Sequence, residues 1–295
     1  LFVSAFSCDR RSALLSRTHH AFQHRFARAV PVVTGVGAVR SALHVEGPYG
    51  NNPAAGRYAA VGSVKIYYEV YGSGPPVLLL HGNGGSISGR ACQIEYLAPT
   101  HRLIAVDSRG HGKSDDGPGA LTFEQQADDF IAVLDAEHIE RADVLGHSDG
   151  GILALELGIR HPDRIGKIIA SSPNLTPDAV NNFDSELKSL EQATQMVAAH
   201  DTTRDWVRRK RQLELDINEP HISFDAVHTI PSPVLLVGAD GDVIPLEHLV
   251  QIFHALQHGQ LFIRPGALHG NLDEVFNAVV ARFLDQPFSR PMPPR

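Results

Sequence analysis

Apolar positions recur in two rhythms along residues 58–286. Residues 58–61 and 64–70 predict the arms of a hairpin turning through Gly62 and Ser63, because Val64, Ile66, Tyr68 and Val70 fall on one face of an extended chain. Pro76 then leads into residues 77–80, four apolar positions without alternation, which suits a parallel strand covered on both faces. Residues 103–106, 142–145, 165–170, 234–237 and 260–263 predict further strands. Between them the period changes. Thr122 stands where a helix cap belongs, with Gln125 three residues on and Ala127, Phe130, Ile131 and Leu134 as the apolar stripe. Residues 150–160 carry Ile152, Leu155 and Ile159 on one face, and 246–256 and 272–284 predict two more helices.

Strands separated by helical spans need crossover connections, so the pattern predicts an α/β fold with a mainly parallel sheet flanked by helices. Residues 175–229 break the rhythm with polar helical stretches at 183–200 and 204–215, the pattern of a small helical lid inserted after the sixth strand. The expected plan is a core of residues 58–174 and 230–287, a lid of 175–229 and a Pro-rich tail of 288–295. Residues 1–57 would be a flexible or extraneous N-terminal extension.

Composition adds limits rather than a function. With 295 residues and 43% hydrophobic content the chain can build one large core with a small insertion. No uninterrupted apolar run approaches the length that spans a bilayer, which excludes membrane insertion and favours a cytoplasmic location. Residues 1–57 hold a formal charge of about +5 from seven arginines, leaving about −12 on the rest. An acidic body repels phosphate, so nucleic acid is not an expected partner. The Arg-rich, acid-poor opening reads either as a targeting segment or as an upstream extension. Cys8 and Cys92 are too few and too far apart for a zinc site or a disulfide framework. The basic run Arg208, Arg209, Lys210 and Arg211 reads as a solvated helix face. Oligomeric state is left open.

Gly146-His147-Ser148-Asp149-Gly150 lies between a predicted strand and a predicted helix, the context of a nucleophile elbow. A sharp turn there lifts the Ser148 hydroxyl above the sheet, and the first helical turn leaves backbone N–H groups for developing negative charge. Upstream, His81-Gly82-Asn83-Gly84-Gly85 can bring the Asn83 N–H beside that of Asp149 as an oxyanion hole. A serine hydroxyl needs a base, and the base needs a carboxylate to set its tautomer. His269, in the loop after the last strand, is the expected base. Asp240 and Asp242 both follow the strand at 234–237, and side-chain chemistry does not separate them. Asp107 and Ser114 are expected to pin a loop at the sheet edge. His81 and His147 are expected to pack, and Trp206 belongs either to the substrate pocket or to lid packing.

Taken in order, these motifs across residues 64–286 resemble the α/β-hydrolase family, in its serine-nucleophile branch. The resemblance implies the chain order Ser148, acid, His269, and favours Asp242, because Asp242-Val243-Ile244-Pro245-Leu246-Glu247-His248 is similar to the segment that carries the family's acid. Residues 146–152 resemble small-lid esterases of the valacyclovir-hydrolase type, which implies that the Asp149 side chain meets a substrate α-amine. His147 departs from the Trp found there. Ser148 argues against the dehalogenase and epoxide-hydrolase branches, which use a carboxylate nucleophile. The implied activity is hydrolysis of small carboxylic esters, with aminoacyl esters as a candidate subclass, through an acyl-enzyme, with no metal or cofactor and with a small-molecule ester as partner. Acyltransferase, aminopeptidase, perhydrolase and carbon–carbon bond hydrolase are alternatives within the fold. A non-catalytic binding protein is the alternative from another class.

Overall fold

A computed structural model describes residues 47–270 and 272–289. Eight strands form one sheet: β1 (Gly56–Val61), β2 (Val64–Tyr71), β3 (Pro76–Leu80), β4 (Arg102–Val106), β5 (Ala142–His147), β6 (Ile165–Ser171), β7 (Val234–Gly241) and β8 (Gly259–Leu268). Their spatial order is β1-β2-β4-β3-β5-β6-β7-β8, with β1, β2 and β4 paired antiparallel and every other pairing parallel. The helices are α1 (Ala91–Leu97), α2 (Phe123–Ala136), α3 (Asp149–Arg160), α4 (Phe183–Ala198), α5 (Trp206–Asn218), α6 (Phe224–His228), α7 (Leu246–Ala255) and α8 (Glu274–Asp285). A 3-10 turn, Ile87–Arg90, leads into α1.

The unbroken apolar runs are explained by two separate cores. Along β3, Leu78 and Leu80 pack with Phe130 and Leu153 on one face, while Val77 and Leu79 pack with Leu97 and Phe276 on the other. Each such side chain contributes about 1.5–3 kcal/mol by leaving water, so both faces must be covered by helices. The Thr122 cap forms as expected, its hydroxyl accepting from Gln125 N at 3.1 Å. Strands β7 and β8 run beyond the expected 237 and 263, pairing Gly238 with Ile263 and Ala239 with Arg264. Small and charged residues continue the ladder there without the apolar bulk that a sequence pattern registers.

Strand β2 departs from its expected one-sided burial. Tyr67 and Glu69 are buried beside the Ile66 and Tyr68 of the opposite face. The cover comes from residues 47–55: Gly50 N and Asn52 N donate to the Glu69 carboxylate at 2.7 and 2.8 Å, and the Tyr67 and Tyr71 hydroxyls donate at 2.7 and 2.6 Å. Burial pushes the Glu69 carboxyl upward, but these donors outweigh it and hold the group below its ordinary pKa. The expected extension therefore ends earlier than 57, since residues 47–57 belong to the body. The targeting reading falls on residues 1–46, outside the described residues, as do residues 290–295 of the expected tail.

The expected lid span is not uniform in its packing. Helices α4 and α5 pack on each other, whereas α6, inside the expected lid span, packs on α3 and α7 and seats Val227 in the core. Among the described residues no helix is long and apolar enough to cross a membrane.

Candidate active site

Strand β5 ends at His147 and α3 begins at Asp149, so one residue makes the turn between them. Ser148 makes it with φ 57° and ψ −123°, a conformation costing an L-residue about 1–3 kcal/mol. The surroundings hold it there: Ser148 N donates to Ser171 O at 2.9 Å, and Gly151 N and Ile152 N donate to Ser148 O at 2.7 and 3.0 Å. A Cβ at Gly146 would fall on the Gly150 carbonyl, which explains glycine before the turn.

His269, in the loop after β8, accepts the Ser148 Oγ hydrogen bond at Nε2, 3.0 Å away, and donates from Nδ1 to Asp242 Oδ1 at 2.6 Å. That pairing sets the tautomer, because a carboxylate accepts only from a protonated Nδ1 and leaves Nε2 as the acceptor. The Asp242 side chain has no exposed surface, and Ser172 Oγ donates to it at 2.5 Å and Ile244 N at 3.2 Å. Burial pushes the Asp242 carboxyl up, yet His269, Ser172 and the Ile244 N–H more than offset it, keeping the carboxyl below its ordinary range. Asp240 is exposed. Of the two acids left open by side-chain chemistry, the structure brings Asp242 to His269.

The loop after β3 runs alongside Ser148. A Cβ at Gly82 would lie 2.9 Å from Ser148 Cβ, so the backbone passes close enough to aim an N–H at a substrate oxygen. Neither Asn83 N nor Asp149 N has an acceptor among the described residues. His81 stiffens this loop: its Nε2 accepts from Ser108 N at 3.0 Å while Nδ1 donates to Gly82 O at 2.8 Å. Burial lowers its pKa to about 3, so it stays neutral and structural. His147 is buried, bonds Ser171 Oγ at 3.2 Å and lies with its ring 4.8 Å from that of His269; burial holds it neutral. Asp107 accepts from Ile87 N and Lys113 N at 2.8 and 2.9 Å, and Ser114 Oγ donates to the Asp107 carbonyl, pinning the 107–114 loop as expected.

Helix α5 reaches the site through contacts that the sequence did not predict. Asn83 Nδ2 contacts Asp149 Oδ2 at 3.2 Å, Gln212 O at 2.9 Å and Asp216 Oδ1 at 3.0 Å, and Asn83 Oδ1 accepts from Arg209 at 2.7 Å. The Asp149 carboxyl is thus engaged by Asn83, which also bridges to α5. Trp206 spends its indole N–H on Asp201 at 2.8 Å and lies 5.4 Å from the Arg204 guanidinium, contacts local to residues 201–206. The basic run is corrected as well. Arg208 and Arg211 both pair with Asp116, at 3.0 and 3.2 Å, and donate to Gly112 O and Gly119 O, so they fasten α5 to the core instead of facing water. Ser172 and Asp216 carried no motif, and Arg209 was read only as part of a solvated basic run; their tertiary neighbours reveal the role of all three. Among the described residues no three His, Cys, Asp or Glu side chains converge as metal ligands would.

Comparison with known proteins agrees with this geometry. A family model described as alpha/beta hydrolase fold matches residues 75–204. The chain is 30% identical over 257 residues to a putative carbamate hydrolase RutD of Caulobacter sp. (strain K31), covering 74% of this chain and 95% of that protein. It is 43% identical over 108 residues to a putative carbamate hydrolase RutD of Azorhizobium caulinodans, but that match spans only 37% of this chain and 41% of the relative. Among solved structures, a hydrolase from Pseudomonas aeruginosa PA01 superposes with a TM-score of 0.66 at 22% identity, over 80% of this chain and 100% of that one.

Proposed function

Because the chain belongs to the alpha/beta hydrolase family and is a hydrolase of that fold, we propose that it hydrolyses small carboxylic esters with Ser148 as nucleophile, His269 as general base and Asp242 as the acid. The observation that carries the reading is the continuous chain Ser148 Oγ, His269 Nε2, His269 Nδ1, Asp242 Oδ1, with links of 3.0 and 2.6 Å.

In this mechanism His269 Nε2 takes the Ser148 proton as Oγ attacks the ester carbonyl. The tetrahedral oxyanion is received by the backbone N–H groups of Asn83 and Asp149, which have no competing acceptor to release. Asp242 remains ionised and stabilises the imidazolium. Protonated His269 then passes its proton to the departing alkoxide, the carbon–oxygen bond breaks and an acyl-Ser148 ester is left. Water attacks that ester with His269 again as base, and the acid product leaves as Ser148 regains its proton.

Carbamates are the second substrate class, supported by the names of the two relatives. The same attack on a carbamate ester would release an alcohol and leave a carbamoyl-serine. Aminoacyl esters receive less support, because the Asp149 carboxyl is already engaged with Asn83 and Asp216. The test is turnover of p-nitrophenyl acetate and butyrate beside aryl carbamates, for the wild type and Ser148→Ala. We expect kcat to fall by at least about three orders of magnitude in the variant with its far-UV circular dichroism unchanged. Wild-type kcat/KM in Ser148→Ala would move the chemistry to another group.

A further inference from the structure

The lid and the nucleophile elbow meet at one side-chain amide. Asn83 Nδ2 carries two N–H bonds but lies within reach of three oxygens: Gln212 O at 2.9 Å, Asp216 Oδ1 at 3.0 Å and Asp149 Oδ2 at 3.2 Å. Two donors cannot serve three acceptors at once. The carboxyls of Asp149 and Asp216 converge on that one amide nitrogen, and two carboxyls held so close favour a shared proton over two full charges. The groups facing the pair do not remove that preference. Glu186 on α4 adds a third acid, Arg209 on α5 supplies one cation while donating to Asn83 Oδ1 at 2.7 Å, and His269 faces Asp149 from the loop after β8. With all carboxyls ionised, three negative charges would confront a single guanidinium.

We propose that Asp216 is a positioning residue that latches the lid onto the elbow: its carboxyl shares one proton with Asp149 and, with Asn83 as the bridge, holds both oxyanion N–H groups in place while the proton is bound. Asn83 and Asp149 are the two residues whose backbone N–H groups face the reacting carbonyl, so α5 grips the oxyanion hole from its side-chain end. For its effect on turnover this rests on the Ser148 reading; for the motion of the lid it does not.

The sign of the pH dependence follows from burial. Desolvation pushes Asp149 up to about 6, and desolvation with the Asp149 charge pushes Asp216 well above the carboxylate range. Glu186 is raised as well, by burial. The two aspartates titrate as a pair. Acids with raised folded-state pKa stabilise the closed arrangement fully below their ordinary range, and that contribution is lost as pH rises through the elevated values. Once the proton leaves, adjacent carboxylates repel. Helix α5 is the partner that yields, because α3 is buried along most of its length.

Trp206, the sole tryptophan, is the first residue of α5 and reports on the lid without any substrate. Its indole partner Asp201 is held below the carboxylate range by hydrogen bonds from Thr203 and Trp206, so Asp201 is already ionised where the pair titrates. The experiment follows Trp206 emission and kcat of the full chain between about pH 5 and pH 9 in wild type, Asp216→Asn and Asp216→Ala. In the wild type, emission should step once as pH rises, with kcat falling through the same step. Asp216→Asn donates without titrating and should abolish both steps. Asp216→Ala should lower kcat about 10-fold below the step, with a smaller change in KM, and Asp216→Asn should recover most of that loss. An undiminished emission step in Asp216→Asn, or wild-type kcat in Asp216→Ala, overturns the latch. If no substrate is turned over, loss of the step in Asp216→Asn still supports the latch while the hydrolase reading fails.

Discussion

Asp240 and Asp242 stand two positions apart at the end of β7, and their fates are opposite. Asp240 is exposed, whereas Asp242 is enclosed with three donors on its carboxyl. Asp242→Asn should therefore lower kcat/KM for a p-nitrophenyl ester by about 10³–10⁴, because an amide favours the wrong His269 tautomer. Asp240→Asn should stay within about 2-fold of wild type, and the reverse ranking would transfer the role. Arg90 makes a second prediction at this scale. It is 5% exposed, burial lowers its pKa to about 10, and its Nε has no partner among the described residues. A buried cation without a carboxylate is costly, so Arg90→Met, similar in length, should raise stability by about 1–3 kcal/mol, read as an increase in Tm. A lower Tm would show that the guanidinium is satisfied in solution. Ser148 and His269 were legible at this scale because each sits in a short Gly-bearing motif. Asp216 was not, since 133 residues separate it from the Asn83 it serves.

At the scale of elements, the instructive case is β2. Alternation identified the hairpin and one buried face, but Glu69 on the second face reads as a solvent-facing acid until residues 47–55 are laid across it. A chain starting at residue 57 should unfold at lower denaturant than one starting at 47, by about 2–5 kcal/mol, because Glu69 loses two backbone donors while remaining largely enclosed. Matching midpoints for the two truncations would show that the segment contributes nothing. The same donors lower the Glu69 pKa, so their stabilisation is present above the unfolded-state value and fades as pH falls through the folded one. Acid unfolding of the two chains should therefore converge at low pH.

Across the whole molecule, α5 is fastened by charge. Asp116 pairs with both Arg208 and Arg211, tying α5 to the loop before α2. Asp116→Ala should speed limited proteolysis within residues 175–220 while changing global stability by less than about 1 kcal/mol. Asp128→Ala, which removes the surface partner of Arg160 and His161, should leave lid cleavage unchanged; equal acceleration in both would discard the anchoring role. The sequence by itself determined the order of the eight strands and of the helices other than α1 and α6, the parallel core, the insertion after β6, and the positions of Ser148 and His269. Those features follow from periodicity and from motifs closed within a few residues. Tertiary structure alone decided where the body begins and that Arg208, Arg209 and Arg211 of the basic run reach beyond α5. Side-chain chemistry left the acid open, the family resemblance favoured Asp242, and the structure brings Asp242 to His269. It also decided that Asn83, Asp149, Asp216 and Arg209 form one network. A contact between distant segments depends on how the elements are stacked and rotated, and a single chain's order of polar and apolar residues does not encode that distance.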